Sequence, residues 1–81
     1  MESAEHMNRL RWRCRRGMLE LDVLLGEFLA HRYTALSATE RSEFEAMLDE
    51  ADQSLSSWFS GASIPPGNFQ SIIKKILQVY E

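Results

Sequence analysis

Apolar residues recur at intervals of three and four along this chain, and that spacing commits it to helices. The last segment shows the pattern best. Phe69, Ile72, Ile73, Ile76, Leu77 and Tyr80 share one face, while Lys74 and Lys75 point outward. Met7, Leu10 and Cys14 mark one side of a first helix over roughly residues 3–14. Beyond Gly17 a second helix carries Leu21, Leu24, Leu25 and Phe28, and a third is expected to bury Phe44, Met47, Leu48 and Ala51. A short fourth helix, about residues 53–60, carries Leu55, Trp58 and Phe59. No stretch sustains the period-two alternation of a half-buried strand. The expected fold is all-α: a compact bundle of five short helices forming one domain over residues 1–81.

Local signals mark the helix ends. Ser37-Ala38-Thr39-Glu40 reads as a capping box, in which Ser37 and Glu40 satisfy each other's backbone donors. Asp52 is the expected N-cap of the fourth helix and Gly61 its stop. Ile64-Pro65-Pro66-Gly67 reads as a rigid loop before the last helix.

Size and charge exclude several classes. The area scaling for 81 residues gives roughly 5,000 Å² accessible when folded against about 13,600 Å² unfolded, enough for one small core. The single cysteine, Cys14, rules out an internal disulfide or a multi-thiolate zinc site. The longest apolar-rich stretch, Met18 to Ala30, is broken by Glu20, Asp22, Gly26 and Glu27, so no membrane span is expected. The acidic start, Met1-Glu2-Ser3-Ala4-Glu5, lacks the layout of a secretory signal or transit peptide, and a bacterial cytoplasm is the expected location.

Reactive groups are sparse. His6 and His31 form no ligand pair, and Cys14 falls on an apolar stripe as a buried core thiol. The acidic run Glu40, Glu43, Glu45, Asp49, Glu50 and Asp52 reads as the solvated face of the third helix. No calcium loop or phosphate-cradling glycine pattern occurs. No enzyme activity and no resident metal or cofactor are expected.

The informative segment runs from Arg9 to Asp22. On a helical projection Met7, Leu10 and Cys14 fall on one side, and Arg9, Trp12, Arg13 and, if the helix persists, Arg16 on the other. Trp12 is thus placed away from the core among arginines, a combination typical of protein interfaces. The bland alternative folds Trp12 back over the bundle and leaves the arginines solvated. Glu20 and Asp22 suit the positive end of the second helix, whereas Arg16 does not, so Arg16 reads as a contact rather than a stabiliser. Gly17 is either a hinge needing positive φ or a place where a partner's backbone approaches.

Arg16-Gly17-Met18-Leu19-Glu20 resembles the Arg-Gly-x-x-Glu signature of the small assembly factors that promote covalent flavin attachment to the flavoprotein subunit of succinate dehydrogenase. Arg9-x-x-Trp12-x-x-Arg15 precedes it, Tyr33-x-x-Leu36-Ser37 is similar to the family's joint before the third helix, and Asp52-x-x-Leu55-x-x-Trp58 is similar to its later pattern. Ala51 and Ser54 stand where relatives are richer in Asp, and Ile64 to Glu81 matches only as an amphipathic helix.

The resemblance implies a five-helix chaperone that binds the flavoprotein subunit while that subunit joins its own histidine to FAD. It implies that FAD belongs to the client and that fumarate reductase flavoproteins are second clients; the free factor is expected to be a monomer. By position, Arg16, Gly17 and Glu20 would meet the client, flanked by Trp12, Arg9, Arg15 and Asp22. The alternative is a nucleic-acid-binding or antitoxin-like regulator. Five arginines within residues 9–16 could neutralise phosphates, although the net charge of −3 and the lack of a helix-turn-helix pattern oppose it.

Overall fold

Five helices form where the apolar spacing places them. In a computed structural model describing residues 4–78, they are α1 (Ala4–Arg13), α2 (Leu19–His31), α3 (Ala38–Met47), α4 (Asp52–Ser60) and α5 (Gly67–Gln78). A 3₁₀ turn, Tyr33–Ala35, joins α2 to α3, and no strand occurs among the described residues. The radius of gyration is 11.8 Å, against about 11.7 Å from the scaling for a chain of this length.

The helix ends follow the local chemistry in two of three cases. At α3 the Ser37 hydroxyl accepts the Glu40 N–H at 3.1 Å, and the Glu40 carboxylate accepts the Ser37 N–H at 2.9 Å. Gly61 ends α4 in the left-handed region, φ +83°, with its N–H on the Trp58 carbonyl. The start of α4 corrects the expectation. Ala51 occupies the N-cap with no side-chain bond, and Asp52 lies inside the first turn. Its carboxylate is taken by Arg16, 2.6 Å away, rather than by the backbone of its own helix.

One core gathers the apolar faces. Leu10 and Cys14, Leu21, Leu25, Phe28 and Leu29 of α2, Phe44 and Met47 of α3, Leu48 just beyond it, and Leu55 of α4 are buried. Phe69, Ile72, Ile73 and Ile76 of α5 complete it. At its centre Phe44 meets the rings of Phe28 at 5.5 Å and Tyr33 at 5.6 Å.

Some expected core positions differ. Ala51 is exposed because α3 ends at Met47 and the chain has turned by then. Leu24 and Leu77 are half-buried at the margin, and so is Trp58, which rests on Phe69 with centroids 5.8 Å apart. Tyr80 lies outside the described residues.

The acidic run is not simply a solvated face. Glu40 pairs with Lys75 of α5, which is thereby drawn off the outward face, and this contact with the Ser37 cap holds the Glu40 carboxyl below its ordinary value. Glu45 accepts the buried Tyr33 hydroxyl at 2.6 Å, and the same oxygen lies 3.3 Å from His6 Nε2 of α1. The acids therefore tie α3 to α1, to α5 and to the 3₁₀ turn.

Candidate functional site

The connection between α1 and α2 brings the motif residues together. Helix α1 stops at Arg13; Cys14 N–H still reaches Leu10 O at 2.9 Å, and Arg15 N–H closes a turn on Trp12 O at 3.1 Å. The chain then passes through Gly17 at φ +84° before α2 begins at Leu19. Asp22, one turn into α2, accepts the Arg16 backbone N–H at 2.6 Å and pins this loop.

Five neighbouring arginines meet different fates. Arg13 Nη2 donates to Glu45 O at 2.9 Å and to Asp49 Oδ1 at 2.6 Å. Arg16 is more deeply committed. Its Nε donates to Asp52 Oδ1 at 2.6 Å, its Nη1 to Leu48 O at 2.6 Å and Arg13 O at 3.2 Å, and its Nη2 to Glu50 O. Its side chain is only 14% exposed.

This corrects two expectations. Arg13 and Arg16 do not stand on a solvent face with Trp12, and Arg16 is a clamp rather than a residue that structure has no use for. The reason is geometric. The helical projection ends with α1 at Arg13, and the α3–α4 turn presents bare carbonyls and acids to any guanidinium reaching it.

The outward set is Arg9, Arg11, Trp12, Arg15, Gly17, Met18, Leu19 and Glu20, all exposed. Trp12 is 70% exposed, and the Arg15 guanidinium lies over its ring at 5.6 Å. Arg9 stands 3.8 Å from Glu5 and remains largely in water. Among the described residues Glu20 has no hydrogen-bond or ion-pair partner, so the Arg16–Glu20 pair that the spacing allows is not made. A Cβ built at Gly17 meets nothing within 4 Å, so the glycine serves backbone conformation, with open space above it.

Cys14 is buried beneath this surface, and desolvation pushes its thiol up to about 11 despite the nearby Arg13 and Arg16. The thiolate is the reactive form, so the native thiol is expected to resist maleimide or iodoacetamide at pH 7 and to react quickly once unfolded. Rapid native modification would contradict that burial. No group of three or more His, Cys, Asp or Glu among the described residues is placed to hold a metal ion, and none of their helices is long and apolar enough to cross a membrane.

Similarity to known proteins agrees with the motif. The family model described as the flavinator of succinate dehydrogenase matches residues 8–80. The chain belongs to that family. It is similar to the FAD assembly factor SdhE of Coxiella burnetii, 42% identical over 72 residues and 88% of both chains. The SdhE proteins of Legionella pneumophila strain Paris (39% over 69 residues; 85% of this chain, 87% of the relative) and Vibrio cholerae (41% over 61 residues; 75% and 71%) are also similar. The match reaches past Ile64, so the flavinator family relationship covers α5 as well as the motif.

The contacts of Arg13 with Asp49 and of Arg16 with Asp52 escaped sequence reasoning. The available signal was complementarity: five arginines over residues 9–16 and six acids over residues 40–52, two runs of opposite sign in one small domain-sized chain.

Proposed function

We propose that this chain is a non-catalytic assembly factor that binds the flavoprotein subunit of succinate dehydrogenase and promotes its covalent attachment of FAD. The observation that carries this is the solvent-facing surface of Trp12, Arg15, Gly17 and Glu20, built on a loop that Arg16 and Asp22 hold from behind. An exposed indole with a guanidinium over its ring is well suited to a partner surface, where tryptophan and arginine are the commonest anchors. Membership of the flavinator family and the names of its SdhE relatives support the same client.

The factor would favour the domain arrangement of the flavoprotein in which the acceptor histidine and the flavin ring stand at reacting distance. Binding energy spent on that arrangement replaces the entropy of bringing two groups together, which is worth up to about 7–11 kcal/mol in well-oriented cases. FAD and the reacting histidine both belong to the client. Fumarate reductase flavoproteins are second clients, and the factor works as a monomer in the cytoplasm.

The nucleic-acid alternative loses two of its five arginines to ion pairs within the bundle, with Asp49 and Asp52. Phosphate contacts would also make binding fall steeply between about 50 and 200 mM salt.

Expressing the flavoprotein subunit with and without this chain tests the role. Flavin fluorescence surviving denaturing electrophoresis is expected only with the chain present. Equal fluorescence in both would overturn it. Glu20→Ala probes the contact itself. Binding to the flavoprotein should weaken by about tenfold, equivalent to ~1.4 kcal/mol. The fold should lose no more than the ~0.3–1 kcal/mol of an acid near a helix N-terminus. A large drop in melting temperature with unchanged binding would make Glu20 a helix-end residue only.

A further inference from the structure

Beside the motif loop, α1 and α2 enclose a groove of about 590 Å³. On its α2 side lie Leu19, Val23, Gly26 and Ala30, at i, i+4, i+7 and i+11, with Asp22 and the core residue Leu29 beside them. Leu19 is 78% exposed and Val23 47%. An outer helix face is ordinarily polar, so an exposed apolar stripe there is suited to burial against another surface. Gly26, inside a helix with ordinary φ, leaves the floor low, because a Cβ there would meet nothing within 4 Å.

The opposite border is cationic. Arg11 and Arg15 line it, and neither is spent on an acid of the bundle: Arg11 holds the Asn8 side-chain oxygen at 2.7 Å, and Arg15 covers Trp12. Asp22, the acid in the groove, is occupied by the Arg16 N–H. A chain of net charge −3 thus lays two guanidiniums along one apolar trough.

We propose that this groove receives an amphipathic helix of the flavoprotein client whose apolar face is edged by acidic residues. The inference rests on the function proposed above and extends the contact from the motif loop to the outer face of α2. Leu19 and Arg15 belong to both surfaces, so a client seated on the loop reaches the groove without a second partner. The low floor at Gly26 lets a helix approach closely, and the arginine border selects its charge and orientation.

Gly26→Phe fills the groove from its floor at a position where the added Cβ meets nothing within 4 Å. Its helical circular dichroism and melting temperature should match the parent, while affinity for the purified flavoprotein subunit falls at least tenfold. Arg11→Gln should weaken the same binding and flatten its salt dependence. A photo-crosslinking residue at Val23 should join the chain to an acid-edged amphipathic helix of the flavoprotein, located by mass spectrometry.

Full affinity in a folded Gly26→Phe variant would overturn the groove and leave the proposed function standing. A crosslink to a second copy of this chain, with a dimer in sedimentation that Gly26→Phe dissolves, would overturn the client as occupant. Failure of the parent chain to bind the flavoprotein would overturn both.

Discussion

Gly17→Arg is expected to abolish covalent flavin on the flavoprotein while leaving the helices intact. Two effects must be separated. Gly17 sits at φ +84°, where an L-residue costs about 1–2 kcal/mol, so any substitution destabilises somewhat. Space costs nothing in the free protein, because no atom lies within 4 Å of a Cβ there. An arginine would therefore project into solvent, where the client's surface is expected to lie.

Gly17→Ala carries the backbone strain with a single methyl group. Both variants should melt roughly 4–16 °C lower, at about 4–8 °C per kcal/mol for a chain of this size. The alanine form should retain more flavinylation than the arginine form. Equal activity of the arginine variant and the parent would remove Gly17 from the interface. Collapse of both folds alike would make the residue a hinge only.

The largest loss of stability is expected from Arg16→Ala. The guanidinium closes four hydrogen bonds, joining the α1–α2 loop to Leu48, Glu50 and Asp52 across the α3–α4 turn. Removing it leaves the Asp52 carboxylate without its cation and strips donors from the carbonyls. The expected cost is about 3 kcal/mol, a fall of roughly 12–24 °C in melting temperature. Asp52→Ala should cost less, ~1–2 kcal/mol, because the three carbonyl contacts survive.

In the double variant the two losses should not add, since they share one contact. A loss below about 1 kcal/mol for Arg16→Ala would show the clamp to be dispensable. Hydrogen exchange at the residue 16 backbone N–H, which donates to the Asp22 carboxylate at 2.6 Å, offers a second check. Protection there should fall in the Arg16 variant, because the loop is held from beneath by that side chain.

The family motif thus divides its labour. Arg16 and the following Asp22 shape the loop, while Gly17 and Glu20 face outward on it. A loop that must present a glycine in the left-handed region needs support from behind, and the supports come from 32 to 36 residues away in sequence. Function and stability are consequently expected to separate along the motif, with Glu20 and Gly17 weighted toward binding and Arg16 toward the fold.

Much was legible from spacing alone. A helix repeats every 3.6 residues whatever surrounds it, so Leu10 with Cys14 and Ile72 with Ile76 announce their buried side locally. The Ser37–Glu40 box and the Gly61 stop are equally local, each closing backbone bonds within one turn. The exposure of Trp12 follows from the same periodicity.

Charged side chains obey no such rule, because a guanidinium on a long, flexible stem settles wherever partners lie. Arg9 and Arg16 are alike in composition, and their different fates depend on which element packs beside each. Only the approach of the α3–α4 turn, with its unpaired carbonyls and its aspartates, drew Arg13 and Arg16 inward and took Asp52 from its expected cap. The open trough beside α2 is likewise tertiary: periodicity marks Leu21 and Leu25 as core, while the placement of α1 beside α2 leaves Leu19 and Val23 exposed along the groove between them.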